Sequence, residues 1–212
     1  MKNLVIVGAG EFGRMADEYF ATDSQYSVAG FAVEREYMKE TEMNGLPIVP
    51  LESITDYFGI DNHDVFVAIT YVNGNRVRER LMNCCRELGY ELVSFVSSKA
   101  SVSPSVTIGS NVMIMENASL QFNVNIGDGA IVWNGVNISH GTKIGKCCWI
   151  APAAAIAGLS QVDDRTFVGV NATVKDEIKI ASDNLIGAGA VGIKDINDSF
   201  GTYVGCPAHR LK

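Results

Sequence analysis

The segment Asn137–Gly158 reads NISHGTKIGKCCWIAPAAAIAG, and Ile138, Ile144, Ile150 and Ile156 recur in it every six residues. An α-helix repeats at 3.6 and a strand at 2, so neither alone produces this spacing. Stepping by six in both directions extends the series from Val102 to Ile186, fifteen consecutive aliphatic positions. Two residues before each stands a mostly small residue, such as Ala118, Ala130, Cys148, Ala154, Ser160 or Ala172. The residue after is often glycine, as at Gly109, Gly127, Gly145, Gly169 and Gly187. A sustained six-residue period is the signature of a parallel β-helix. Each hexad supplies one short strand and a turn, with the aliphatic side chain inward and the small one filling the corner.

The pattern is similar to that of left-handed β-helices, in which three hexads close a triangular coil. Residues eighteen apart then stack at about 4.8 Å, the spacing between paired strands. The first 97 residues follow a different rule. NLVIV (3–7) reads as a buried strand, GAGEFGR as a turn and MADEYFATD as a helix. Further strands are expected at YSVAGFAVE and DVFVAIT, helices at PLESITDYF and NRVRERLMNCCRELGY, and a closing strand at ELVSFV. The fold class is therefore α/β plus all-β: a small Rossmann-like domain over residues 1–97, then a left-handed parallel β-helix over 98–212 with a C-terminal tail.

With 212 residues, 47% hydrophobic and 19% charged, the chain has enough apolar material for a sizeable core. A net charge of -7 argues against an electrostatic hold on nucleic acid or an anionic membrane. Glu11 and Arg14 interrupt the first apolar run too early for a secretory signal core, and no run is long enough to span a bilayer. Five cysteines, two adjacent pairs and a single one without C-x-x-C spacing, suggest neither a disulfide framework nor a zinc site. A cytoplasmic location is expected.

Applying the eighteen-residue rule places His140 beside Gly158 in the next coil. A residue without a side chain next to an imidazole leaves a notch and a bare backbone N–H, which suits a carbonyl becoming an oxyanion. Gly135, Ala153, Asn171 and Gly189 form a second stack of small residues, the expected bed of an extended ligand. Trp149 over Phe167 reads as an outward aromatic ridge for a subunit contact. Cys148 falls in the small inward slot and Cys85 on the apolar face of its helix, both as core; the role of Cys147 stays open. His140 is the only histidine of the repeat, so a three-histidine metal site is not expected. In the first domain Gly8, Gly10 and Gly13 lie between strand and helix, where amides and the helix N-terminus hold phosphate. Glu34, at the end of the second strand, is placed to meet a ribose hydroxyl.

The G-x-G-x-x-G turn, the hexapeptide repeat and the tail YVGCPAHRL together resemble the bacterial nucleotide-sugar acetyltransferases typified by PglD and NeuD. That resemblance implies transfer of an acetyl group from acetyl-CoA to a UDP- or dTDP-linked amino sugar, in surface-glycan synthesis such as that of O-antigen or lipopolysaccharide. It also implies a homotrimer with sites between subunits and no metal. By resemblance His140 is the general base, Gly158, Val170, Asn171 and Ala188 contact acetyl-CoA, and Gly8, Gly10, Gly13 and Glu34 contact the nucleotide sugar. The chain departs from the family at Gly141, where an acidic neighbour of the histidine is usual, at Trp149, and at Val33-Glu34. An O-acetyltransferase is the nearest alternative; an NAD-linked oxidoreductase and a non-catalytic β-helix scaffold are more distant ones.

Overall fold

The computed structural model describes residues 3–211. In the first domain β1 (Asn3–Val7), β2 (Val28–Val33), β3 (Glu42–Met43), β4 (Leu46–Pro50) and β5 (His63–Val67) form one sheet in the order β3-β4-β2-β1-β5. All pairings are parallel except β3 with β4. Helices α1 (Glu11–Asp23), α2 (Ile54–Tyr57) and α3 (Arg76–Glu87) connect or flank the strands. β1 and β5 are continuous apolar runs because both faces of a parallel sheet are covered; Leu4, Val5, Ile6, Phe66 and Val67 are fully buried. β4 has no counterpart among the strands expected from the sequence, and it carries Pro47 and Pro50, which are uncommon inside a sheet. It is tolerated near the sheet margin, where only the short β3 lies beyond it.

From Phe95 onward the chain is a left-handed parallel β-helix of two-residue rungs on three faces. The first face stacks Phe95–Val96, Met113–Ile114, Ile131–Val132, Trp149–Ile150, Phe167–Val168 and Leu185–Ile186. The second runs from Ser101–Val102 through Asn137–Ile138 and Ala155–Ile156 to Val191–Gly192, and the third from Thr107–Ile108 through Lys143–Ile144 to Lys179–Ile180. Pairing is eighteen residues apart throughout, as in Trp149 with Phe167 and Asn137 with Ala155. Phe95–Val96, which the sequence suggested as the last strand of the α/β sheet, instead pairs with Met113–Ile114. The start of that segment still reaches β5: Val65 N–H donates to Glu91 C=O at 2.9 Å and Val93 N–H to Val65 C=O at 3.0 Å, which forms an isolated bridge between Val65 and Leu92.

The aliphatic column from Ile114 to Ile186 is almost fully buried. In the small slots, polar groups bond carbonyls fifteen residues on: Thr142 to Ala157, Cys148 to Asp163, Ser160 to Lys175 and Thr166 to Ala181. Every sixth residue from Asn111 to Gly189 has positive φ, between 53° and 69°. That left-handed turn excludes β-branched side chains and favours Gly and Asn. It accounts physically for the small stack Gly135, Ala153, Asn171 and Gly189, which the sequence had suggested as a ligand bed. At the far end Thr202–Val204 continues the first face beside Leu185–Ile186, and His209–Arg210 folds back antiparallel on it.

The first domain lies on the first face and along the edge between the third and first faces. Phe12 of α1 packs on Trp149 and Trp133 with ring centroids 5.4 and 6.2 Å apart, and Tyr71 caps Trp149 and Phe167 at 5.5 and 4.8 Å. Trp149 is thus buried inside the chain, and the outward ridge expected to meet a second subunit is an interdomain seam. α3 runs down the third-first edge: Arg86 bonds Asp128, Met82 touches Cys147, and Arg76 bonds Asp183. Arg165 joins Asp183 and Glu79 across the same seam.

Asn111 stitches the two domains at a backbone level. Its Oδ1 accepts from Val67 N–H at 2.7 Å and its Nδ2 donates to Val67 C=O at 3.2 Å, standing in for a missing neighbour strand at the open margin of β5. Asn111→Ala strands both Val67 groups in a fully buried site. We expect a loss of about 2–4 kcal/mol in chemical denaturation; an unchanged midpoint would contradict this role.

Candidate active site

The first-domain cleft forms where β1, β2 and β5 end, at the point where the chain leaves β1 on opposite sides of the sheet, the usual ligand position of such folds. Its volume is about 670 Å³, and Gly8, Gly10, Glu34, Ile69, Thr70 and Arg80 are among its lining residues. Gly8 and Gly10 bring bare backbone to the cleft at the start of α1, as the motif implied. Gly13 does not line it. A Cβ there would collide with Gly8 O, so this glycine lets α1 pack tightly on the turn that lines the cleft. Glu34 is at the cleft, but Arg80 holds both of its oxygens at 2.7 and 2.9 Å. The same guanidinium keeps the carboxyl below the usual range. The bidentate pair fixes the orientation of this carboxylate at the cleft.

His140 is exposed on the edge between the second and third faces. Gly158 lies directly beneath its ring: a Cβ on Gly158 would meet His140 Cε1 at 2.6 Å and Nε2 at 2.9 Å. The juxtaposition inferred from the eighteen-residue rule is therefore present. Among the described residues the Gly158 N–H has no acceptor, so it is available to an incoming oxygen. His140 N–H is held by Gln121 Oε1 at 3.2 Å, which fixes the backbone of the histidine in the absence of an acidic neighbour. Exposed Phe122 stands one coil before His140, on the side away from Gly158, and exposed Leu159 directly follows Gly158.

Val170, Asn171 and Ala188 gather at a different edge, between the first and second faces, and all three are exposed. Gly189 N–H bonds Val170 C=O at 2.8 Å, which stacks the two coils there. Within one chain they are separated from His140 and Gly158 by the width of the second face.

None of the buried cysteines is a nucleophile. Burial pushes Cys147 up to about 11 and Cys85 and Cys148 up to about 12, so each stays a thiol at neutral pH. Cys147, left open by the sequence, lies under α3 against Met82. Among the described residues no group of three or more His, Cys, Asp or Glu is placed to hold a metal ion, and no helix is long and apolar enough to cross a membrane.

Comparison with known proteins bears on both domains. Residues 3–85 match the family model described as the PglD N-terminal domain. The chain has the architecture of the PglD-like, hexapeptide-repeat sugar acetyltransferases. A histidine-to-asparagine mutant of perosamine N-acetyltransferase from Caulobacter crescentus, solved with CoA and GDP-perosamine, is 28% identical, with 100% of this chain and 98% of that chain covered and a TM-score of 0.89. The acetyltransferase domain of PglB from Neisseria gonorrhoeae, solved with acetyl coenzyme A, is 26% identical, with 99% of each chain covered and a TM-score of 0.87. A probable UDP-3-O-acylglucosamine N-acyltransferase of Arabidopsis thaliana is 32% identical over 114 residues, 51% of this chain, and the matched segment spans 38% of that relative's length.

Two tests follow from the geometry. Gly158→Ala has an ordinary backbone conformation to occupy, so stability should change by less than about 0.5 kcal/mol. Its methyl must nevertheless displace the His140 ring. A crystal structure of the variant with the imidazole unmoved would refute the close contact. In the native protein, a thiol reagent at neutral pH should modify exposed Cys206 quickly and leave Cys85, Cys147 and Cys148 unmodified until unfolding; mass spectrometry of the labelled peptides decides this.

Proposed function

We propose that the protein transfers an acetyl group from acetyl-CoA to the amine of a nucleotide-linked amino sugar. The observation that carries this reading is the exposed imidazole of His140 set over bare Gly158, in a chain whose other domain holds a nucleotide-sized cleft. The neutral amine nitrogen attacks the thioester carbonyl carbon, forming the C–N bond. His140 takes the amine proton, and the Gly158 N–H donates to the carbonyl oxygen as it gains negative charge. Collapse of this intermediate breaks the C–S bond and releases CoA. The nucleotide diphosphate rests against the Gly8–Gly10 turn. The perosamine enzyme was solved with a GDP sugar, so guanine joins uracil and thymine among the bases to be tested.

The same reading includes a homotrimer with sites between subunits. The first domain occupies the first face, whereas His140 lies on the edge opposite that face, so a chain cannot deliver its own bound sugar to its own histidine. The two acetyl-CoA edges are likewise one face apart. A neighbouring chain packed on the second-third edge would unite them and cover Phe122 and Leu159, which are 63% and 58% exposed. The protein would act in the cytoplasm, where acetyl-CoA and nucleotide sugars are made, in the synthesis of a surface glycan such as O-antigen or lipopolysaccharide.

A panel of GDP-, UDP- and dTDP-linked amino sugars with acetyl-CoA, followed by release of CoA thiol, tests the activity. His140→Ala should lower turnover by about 10²- to 10⁴-fold with the trimer intact by light scattering. Near-full activity in that variant would remove the histidine from the mechanism, and a monomeric wild type would remove the intersubunit site.

A further inference from the structure

The first turn of α3 carries a charged side chain with no carboxylate beside it. Arg78 is fully buried at the seam between the two domains. A guanidinium has five N–H donors, and here each has an uncharged oxygen. Nε donates to Gly129 C=O at 2.9 Å. One terminal nitrogen donates to Ile69 C=O and Thr70 C=O at 2.9 and 3.1 Å. The other donates to Asn75 Oδ1 and Cys147 C=O at 2.9 and 2.8 Å. The cation also lies 5.6 Å from the centre of the Trp149 ring.

Apart from Asn75, the residue just before α3, the acceptors fall into two groups. Gly129 and Cys147 are left-handed turn residues of the third-first edge, in consecutive coils of the β-helix. Ile69 and Thr70 belong to the segment after β5 that walls the nucleotide cleft. The Ile69 side chain in turn abuts the phosphate turn, since a Cβ on Gly8 would meet Ile69 Cδ1 at 2.9 Å. A continuous line of contacts therefore runs from the β-helix edge through one guanidinium and Ile69 to Gly8.

Purely cohesive burial of a cation is poor economy: an apolar side chain of similar size fills such a seam without the desolvation cost. What a planar five-donor group adds is fixed geometry among several carbonyls at once, which lysine cannot reproduce.

We propose that Arg78 is a positioning residue for the nucleotide half of the site: it holds the Ile69–Thr70 wall, and through it the Gly8 turn, at a set place relative to the β-helix. The proposal rests on the cleft being the nucleotide site. It makes no contact between Arg78 and either substrate.

The test measures binding of UDP, dTDP and GDP, and separately of CoA, to the full-length protein by calorimetry. In Arg78→Lys, affinity for the nucleotide that the wild type binds best should fall about tenfold or more, because at least two charge-assisted bonds are lost. CoA affinity should stay within about twofold, because its proposed contacts lie on other edges. Arg78→Met fills the seam without a buried charge and removes the bonds to Ile69 and Thr70, so it should show the same nucleotide-selective loss; it decides the matter if Arg78→Lys does not fold. Nucleotide affinity equal to wild type in a folded variant overturns the role of Arg78, as does an equal loss for nucleotide and CoA, the mark of general loosening. A wild type that binds CoA but none of the three nucleotides would instead overturn the reading of the cleft, and this proposal with it.

Discussion

A turn with positive φ at every sixth residue, from Asn111 to Gly189, is the constraint on which the rest of this molecule depends. It makes the coil triangular and gives every rung two paired residues, so positions eighteen apart meet. Non-glycine residues in that conformation carry a steric penalty of about 1–2 kcal/mol each, which the aliphatic column from Val102 to Ile186 offsets by burial. The regularity then converts linear spacing into spatial address. His140 over Gly158 and Trp149 over Phe167 are consequences of the same count.

The address works only within the β-helix, which explains what could and could not be read beforehand. The three faces, the inward column and the His140–Gly158 pair were legible because each follows from a period. Gly8 and Gly10 were legible because a strand, a glycine turn and a helix in sequence leave few arrangements. Gly13 sits in the same motif but serves packing, a difference that depends on how closely α1 approaches Gly8 O. The burial of Trp149 could not be inferred, because nothing in the repeat says which face the first domain covers. Arg78 gave no signal at all: in a helix rich in arginine, one buried guanidinium looks like any exposed one until its carbonyl cage is seen. β4 is not assigned from the sequence: its Pro47 and Pro50 are tolerated near a sheet margin, and position near that margin is a property of the tertiary fold.

The relation between the domains gives the chain a polarity. α3 lies along one edge of the prism and α1 on the adjoining face, so the first-domain cleft is anchored on one side. The edge opposite carries the imidazole. Under the proposed function the acceptor cleft and the base point away from each other within one chain, which is why that proposal joins the sites of neighbouring chains.

The C-terminal tail has a consequence of another kind. A β-helix is a stack of strands, and its last coil would present three unpaired edges of the type that template indefinite growth. Thr202–Val204 satisfies one of these edges, and His209–Arg210, running the opposite way, closes over it. The first face thus ends in a reversed strand that a further parallel coil cannot match. The segment after the last hexad thus covers, on this face, the strand edge onto which another coil would stack.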